Sequence, residues 1–217
     1  MSIEWIESEE LRWRSLVYEG VSGGRFTEIS PSTTGIHAST NLSLETRLGN
    51  RTLAHGTGIA LGDMDGDGWV DIYVCLLDAP NVLYRNLGGW EFENVTATTG
   101  VGLPGRMSRG AVFADADGDG ALDLFVAIHG GVNVLLINDG SGHFVESDAG
   151  FEGAYGTTTL GLADIDGDAD LDAYFTNYKV IQGDDLFSPS ERSLQGKLRE
   201  VEGGYEFIPP FNEHYRV

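Results

Sequence analysis

Three short acidic segments have the residue types and the spacing of a site for a hard divalent cation. In each segment aspartates stand at positions 1, 3, 5 and 9. The segments run from Asp63 to Asp71, from Asp115 to Asp123 and from Asp164 to Asp172. Alternate carboxylates in a tight turn can point at one centre, and oxygen-only anionic ligands suit Ca²⁺. The spacing therefore predicts three calcium sites of one design.

The predicted ligands are the carboxylates of each loop and the backbone carbonyl of position 7. They are Asp63, Asp65, Asp67, Trp69 and Asp71 in the first loop, Asp115, Asp117, Asp119, Ala121 and Asp123 in the second, and Asp164, Asp166, Asp168, Asp170 and Asp172 in the third. Water would complete a shell of about six or seven oxygens. Mg²⁺ fits less well, because it requires strict octahedral geometry. An EF-hand is disfavoured, since its bidentate Glu is replaced by Val74, Val126 and Phe175.

A metal-free role is the alternative, because Asp and Gly are favoured in turns that join strands. Three copies with identical spacing argue against chance. Glycine at position 4 of each loop, and Gly68 and Gly120 at position 6, allow the backbone to curl with positive φ. Ala169 takes position 6 of the third loop. We therefore expect this loop to bind calcium more weakly or to coil differently.

The loops recur in phase with a longer repeat that must position them. The first Asp recurs after 52 and then 49 residues. Apolar residues flank each loop, and the segment from Asn81 to Tyr84, with Phe92 eleven residues after Asn81, matches Asn133 to Leu136 with Phe144. Each unit therefore predicts four short strands, two around the loop and two around a Gly-rich hairpin turn. Nearly continuous apolar runs such as 71–77 are typical of strands covered on both faces.

These units predict an all-β fold, a β-propeller of four-stranded antiparallel blades in a single domain over 1–217. The blades are expected at 55–102, 107–152 and 157–210, with the latter half of a further blade at 15–37. The result is a partial propeller of about three to four blades, shorter than the roughly 350 residues of a seven-bladed ring. We expect insertions near 40–51 and 184–195 to form surface loops.

Composition limits the partners. The chain has 34 acidic against 13 basic residues and a formal charge of −21, so nucleic acid and anionic lipid surfaces are disfavoured and cations are favoured. No run of 18 apolar residues is present, so membrane insertion is not expected. The single cysteine, Cys75, rules out an internal disulfide and is predicted to be a buried strand residue.

No catalytic residue is predicted. The five histidines are scattered, without a nucleophile motif or a His-x-x-x-His pair for zinc. His129 is interpreted as a residue at a strand end. Paired carboxylates can serve glycoside hydrolysis, but here the loop aspartates are assigned to metal.

The loops at 62–71 and 114–123 resemble the FG-GAP or VCBS repeats of integrin α-subunit propellers. The segment 81–86, followed by 92–96, is similar to the hairpin of the subgroup that contains cartilage acidic protein and bacterial ASPIC/UnbV proteins. The resemblance covers roughly residues 15 to 210. It implies a calcium-stabilised propeller that is extracellular, periplasmic or on the cell surface.

The same resemblance implies adhesion, or binding of a protein or glycan ligand, rather than catalysis. The alternative is the non-catalytic propeller region of a larger secreted enzyme, a polysaccharide lyase or a hydrolase. The first twenty residues mix Glu, Arg and Trp and lack the basic-then-apolar order of a secretory signal.

Overall fold

The computed structural model describes residues 27–181 and 186–194 and four short strand segments at 6–7, 12–13, 198–201 and 204–207. The chain divides into two compact units, Met1–Ser30 and Pro31–Val217. In the first unit β1 (Ile6–Glu7) pairs antiparallel with β2 (Arg12–Trp13). Most of the half-blade expected at 15–37 lies outside the described residues. Helix α1 (Pro31–Thr34) occupies part of the remainder.

The first complete blade, in the second unit, is a four-stranded antiparallel sheet in chain order. It consists of β3 (Ile59–Gly62), β4 (Asp71–Val74), β5 (Val82–Asn86) and β6 (Phe92–Asn94). Asn86 pairs with Phe92 across the Gly-rich hairpin, as the repeat predicts. Helix α3 (Thr96–Thr99) then ends at Gly100, whose left-handed backbone directs the chain into the next blade.

The second blade repeats this order with β7 (Ser108–Ala114), β8 (Asp123–Gly131), β9 (Val134–Asn138) and β10 (Phe144–Ser147). The third begins with the pair β11 (Tyr155–Ala163) and β12 (Asp172–Tyr178), and the start of β11 also pairs with the end of β8. Strands β13 (Leu198–Val201) and β14 (Gly204–Phe207) form a separate hairpin in the described part of the chain.

Each insertion contains a short helix and is largely exposed where described, so it lies at the surface as expected but is not entirely a loop. Helix α2 (Leu44–Gly49) begins at Ser43, whose hydroxyl accepts the Thr46 N–H at 3.0 Å. Asn50 then caps the 3₁₀ helix η1 (Arg51–His55) through its side chain. These caps satisfy helix-end N–H groups, while Leu48 and Leu53 become buried. The second insertion contains α4 (Pro189–Leu194).

The core consists of two layers of apolar side chains between successive blades. One layer joins the first and second blades and includes Tyr73, Leu83 and Val126. The other joins the second and third blades, where the ring of Phe151 lies 6.5 Å from that of Phe125 and 5.0 Å from that of Phe175. Strand β8 contributes to both layers, which confirms strands covered on both faces. The fold is an all-β partial propeller.

Two further predictions concern buried polar residues. Cys75 is fully buried, as expected, but it directly follows β4 and is not part of the strand. His129 lies near the end of β8 and is also buried, with its Nε2 2.9 Å from the carbonyl oxygen of Val180. Both therefore belong to the packed interior.

Candidate metal centres

Each acidic loop is the turn between the first and second strands of a blade. Antiparallel pairing places Gly62 opposite Asp71, Ala114 opposite Asp123 and Ala163 opposite Asp172. The residue before position 1 is thus held beside position 9. This register brings the two ends of the loop together and makes convergence of their carboxylates possible.

The structure gathers the carboxylates of positions 1, 3 and 9 in all three loops. In each loop one oxygen from each of the three side chains lies within 4.8 Å of the other two. The groups are Asp63, Asp65 and Asp71; Asp115, Asp117 and Asp123; and Asp164, Asp166 and Asp172. Three oxygen donors at this separation match the donor chemistry of a hard cation.

The position-9 carboxylate also braces the loop. Asp123 is buried, and its Oδ2 accepts the N–H of Ala116 while its Oδ1 accepts the N–H of Asn138, both at 2.8 Å. Asp71 does the same with Met64 at 2.9 Å and Asn86 at 2.8 Å. One side chain thus ties the start of the loop to the third strand of the blade.

The position-5 carboxylates are not part of these three-carboxylate groups. Each accepts the N–H of position 7, at 2.9 Å from Trp69 to Asp67, 2.8 Å from Ala121 to Asp119 and 3.0 Å from Asp170 to Asp168. These are Asx-type turns that fix the curl of the loop. Ligation by position 5 and by the position-7 carbonyls stays a prediction.

The third loop coils like the other two despite Ala169. The Ala169 N–H donates to Oδ2 of Asp164 at 3.1 Å, as Gly68 donates to Asp63 and Gly120 to Asp115. Ala169 adopts a φ of 74°, against 90° and 93° at the two glycines. A non-glycine residue is strained in this left-handed region. The loop therefore retains its shape with strain at one residue.

Burial and negative charge act together on the position-9 carboxylates. Burial raises the pKa of Asp71, and the charges of Asp65 and Asp67 raise it further, while backbone hydrogen bonds partly offset the shift. The pKa of Asp123 is raised for the same reasons, with Asp117 and Asp119 as the neighbouring charges. A bound cation would relieve this repulsion.

Arg85 is a site residue that the sequence reasoning missed. It lies on β5, with its Nε 2.6 Å from Oδ2 of Asp65 and one terminal nitrogen 3.0 Å from Oδ2 of Asp67. The repeat places Ile137 at the same position of the second blade. The sequence signal for this contact was the position of Arg85, on the strand that pairs with β4, which follows the first loop.

No helix in the described ranges is long and apolar enough to cross a membrane.

Comparison with known proteins places the loops in a defined repeat. The family model described as FG-GAP-like repeat matches residues 63–126 and 115–175. Both matches begin at the first Asp of a loop and end in the second strand of the following blade. Together they span all three candidate centres and the strands between them.

The chain is also similar to cartilage acidic protein 1. The identity to the mouse (Mus musculus) and human (Homo sapiens) proteins is 27% over 179 residues, which are 80% of this chain and 27% of each relative. The identity to the Xenopus tropicalis protein is 29% over 147 residues, 66% of this chain and 22% of that protein. The chain spans about a quarter of the length of these curated relatives. Since the two repeat matches together cover more than half of its residues, this chain belongs to the FG-GAP-like repeat family.

Proposed function

We propose that this protein is a calcium-binding propeller module that acts in adhesion or ligand binding, with calcium in a structural role. The observation that carries the proposal is the threefold recurrence of one arrangement. Three carboxylate oxygens converge within 4.8 Å in each loop, on the same backbone scaffold. Turns that only joined strands would not need carboxylates that face one another, because mutual repulsion costs stability.

The residues present fit the metal. Their side-chain donors are all carboxylate oxygens, which calcium prefers. The first loop already attracts a cation, since the Arg85 guanidinium lies against Asp65 and Asp67. Positions 1, 3 and 9 would hold calcium, which would neutralise carboxylates that otherwise repel. Position 5 and the position-7 carbonyl are the proposed additional ligands.

The position of the loops in the blades supports the proposed structural role. Each loop joins the first two strands of a blade, and Asp71 and Asp123 connect it to the third strand as well. Calcium at these points would hold a blade closed at one edge. Nothing in the chemistry of the loops requires a substrate, and we assign no catalytic residue.

We further propose an extracellular, periplasmic or cell-surface location and a protein or glycan as the ligand. Calcium outside cells reaches about 1 mM, which suits sites of modest affinity. The charge of −21 disfavours nucleic acid as a partner. The similarity to proteins named cartilage acidic protein 1 is compatible with such a setting.

Isothermal titration tests the proposal directly. We expect calcium to bind at up to three sites per chain and magnesium to bind more weakly. A triple variant with Asp65→Asn, Asp117→Asn and Asp166→Asn removes one negative charge from every loop and should strongly reduce the calcium heat. A control variant, Asp148→Asn, removes an exposed carboxylate after β10, at the end of the blade opposite the loop, and should bind like the original chain. Equal heats for the triple variant and the original chain would overturn the proposal.

A further inference from the structure

The insertion that precedes the first blade forms a pocket. Its volume is about 440 Å³, within the range of about 300–1,000 Å³ that is typical of small-ligand sites. Its lining comes from one continuous segment, 40–56, and includes the polar residues Thr40, Asn41 and Arg47 and the apolar residues Leu42 and Leu53. Loops on a rigid scaffold often carry binding residues. Because one internal segment supplies the whole lining, the pocket does not depend on how many blades the stack contains.

The segment that forms the pocket is fixed by polar contacts with the second and third blades. Arg109 of β7 is 5% exposed and donates to the carbonyl oxygen of Gly56 at 3.0 Å and to that of Thr52. The Nδ2 of Asn50 donates to the carbonyl oxygen of Val180, which lies just after β12, at 2.8 Å. Walls held by such contacts can keep the side chains of a site in place for a ligand.

The charge balance around the pocket is the opposite of that of the whole chain. Residues 31–58 contain two arginines and one glutamate, whereas the chain has 13 basic and 34 acidic residues. Arg47 is exposed and forms no ion pair with a described residue. No lining residue is acidic, and Asp78, which accepts the backbone N–H of Asn41 at 2.8 Å, lies outside the lining. The pocket therefore offers a cation that no neighbouring carboxylate neutralises in the described part of the chain.

The pocket lies at the end of the first blade opposite to its acidic loop. Antiparallel pairing places Ile59, which follows the pocket segment, beside Val74, whereas Gly62 lies beside Asp71 at the loop. The loop attracts cations, and the pocket attracts an anion. Binding of calcium and binding of an anion can therefore be measured as separate events on the same chain.

The lining suits a carboxylate that is carried by a small ring with hydroxyl groups. The guanidinium of Arg47 can bind a carboxylate through two parallel N–H groups. The Oγ1 of Thr40 is buried without a hydrogen-bond partner among the described residues, and a change of side-chain rotamer would present it to a ligand hydroxyl. Asn41 offers its amide oxygen beside it. Leu42 and Leu53 supply an apolar wall for the C–H groups of the ring.

We propose that this pocket binds a uronic acid unit of a glycan, which rests on the proposed ligand-binding function and names the class of its ligand. The carboxylate of the sugar lies on Arg47, and its hydroxyl groups lie on Thr40 and Asn41. An acidic amino-acid side chain could also use Arg47, but it has no hydroxyl groups for the other two residues. A neutral sugar would leave the arginine without an anion.

Titration of the full chain with glucuronate, followed by amide NMR in the presence of calcium, tests the proposal. We expect shifts in the signals of residues 40–56, and binding of glucose and of N-acetylaspartate that is about tenfold weaker. Arg47→Gln should weaken glucuronate binding about tenfold. Thr40→Val should weaken it without lowering stability, because the hydroxyl has no partner in the free protein. The control Arg106→Gln removes the same charge outside the lining and should bind like the original chain.

The calcium heat of each variant separates this pocket from the calcium sites. Loss of glucuronate binding by Arg47→Gln with an unchanged calcium heat supports the proposal. An original chain that binds calcium but shows no shift with glucuronate overturns the pocket assignment and leaves the calcium sites intact. Binding of N-acetylaspartate as tight as that of glucuronate overturns the glycan in favour of an acidic peptide. Equal weakening by Arg47→Gln and Arg106→Gln overturns the proposal as well, because it shows an effect of overall charge alone.

Discussion

The guanidinium of Arg85 forms an ion pair with the first acidic loop, with its Nε 2.6 Å from Oδ2 of Asp65. The second blade has Ile137 at this position, so its loop lacks the arginine. The aspartates beside it raise the pKa of Arg85, which therefore stays charged. The first and second loops thus have the same carboxylates and different net charges.

Arg85→Ile should give the first loop the environment of the second. Calcium must compete with the arginine at Asp65, so we expect its removal to increase calcium affinity at that site by about two- to fivefold, the range of an exposed ion pair. Isothermal titration measures the change. Arg106→Ile, which removes an ion pair of 3.0 Å with Glu146 away from the loops, is the matched control. Weaker calcium binding by Arg85→Ile would show that the arginine assists the site.

Substitution of Asp123 and substitution of Asp117 should affect metal-free stability to different extents. Asp123 accepts two backbone N–H groups and is buried, so Asp123→Asn should destabilise the protein by about 1–3 kcal/mol even without metal. Asp117 is exposed and accepts one N–H at 3.2 Å, which the amide oxygen of Asn can also do. Asp117→Asn should therefore lower calcium affinity with little effect on metal-free stability.

Urea unfolding with a chelator and with calcium separates these two roles. Equal metal-free stabilities for the two variants would contradict the conclusion that the hydrogen bonds of Asp123 stabilise the loop without metal.

Ala169→Gly should stabilise the third loop. The left-handed backbone at this residue, with a φ of 74°, destabilises an alanine by about 1–2 kcal/mol. Glycine removes this strain but loses more conformational entropy on folding, which offsets part of the gain. A net gain of about 0.5–1 kcal/mol is expected in thermal unfolding, together with tighter calcium binding at this loop. Ala154→Gly, at an exposed position without positive φ, should give no such gain.

His129 should make stability depend on pH. Burial lowers its pKa, and the charge of Arg109 lowers it further, although the hydrogen bond with Val180 partly offsets this. In the unfolded chain a histidine titrates near about pH 6.5, so the unfolded state gains protons first as the pH falls. The contribution of His129 to stability is complete above that pH and decreases as the pH drops from it through the lower folded pKa.

His129→Gln can still donate to the Val180 carbonyl and removes this titration. Urea unfolding in chelator, at about pH 7.5 and about pH 5.5, should give a smaller loss of stability for the variant than for the original chain. Identical losses would mean that His129 does not titrate in this range.

The repeat and the convergence of its loop carboxylates could be predicted from the sequence, because aspartates at positions 1, 3, 5 and 9 recur in phase with strands. The apolar segments on both sides of each loop and of each Gly-rich hairpin also predicted four-stranded blades, which the first two units confirm. Other features depend on contacts across the sheet. Arg85 reaches Asp65 from β5, and Asp123 meets Asn138 from β9.

The helices missed by the sequence reasoning have a local cause. The insertion near 40–51 was expected to be a loop because insertions into a repeat normally form surface loops. Ser43 and Asn50, however, cap the two helices, and Leu48 and Leu53 provide apolar side chains that the helices bury. The sequence also did not predict that the third loop has the same backbone shape as the other two. Alanine is strained in the left-handed region, and at Ala169 a hydrogen bond to Asp164 holds it there.

Thermal unfolding at increasing free calcium tests the central claim most directly. At a free concentration ten times the dissociation constant, each occupied site should add about 1.4 kcal/mol of stability. For a chain of this size that raises Tm by roughly 3–6 °C per site, and chelator should reverse the shift. A Tm that does not change between chelator and excess calcium would contradict the assignment of these loops as structural calcium sites.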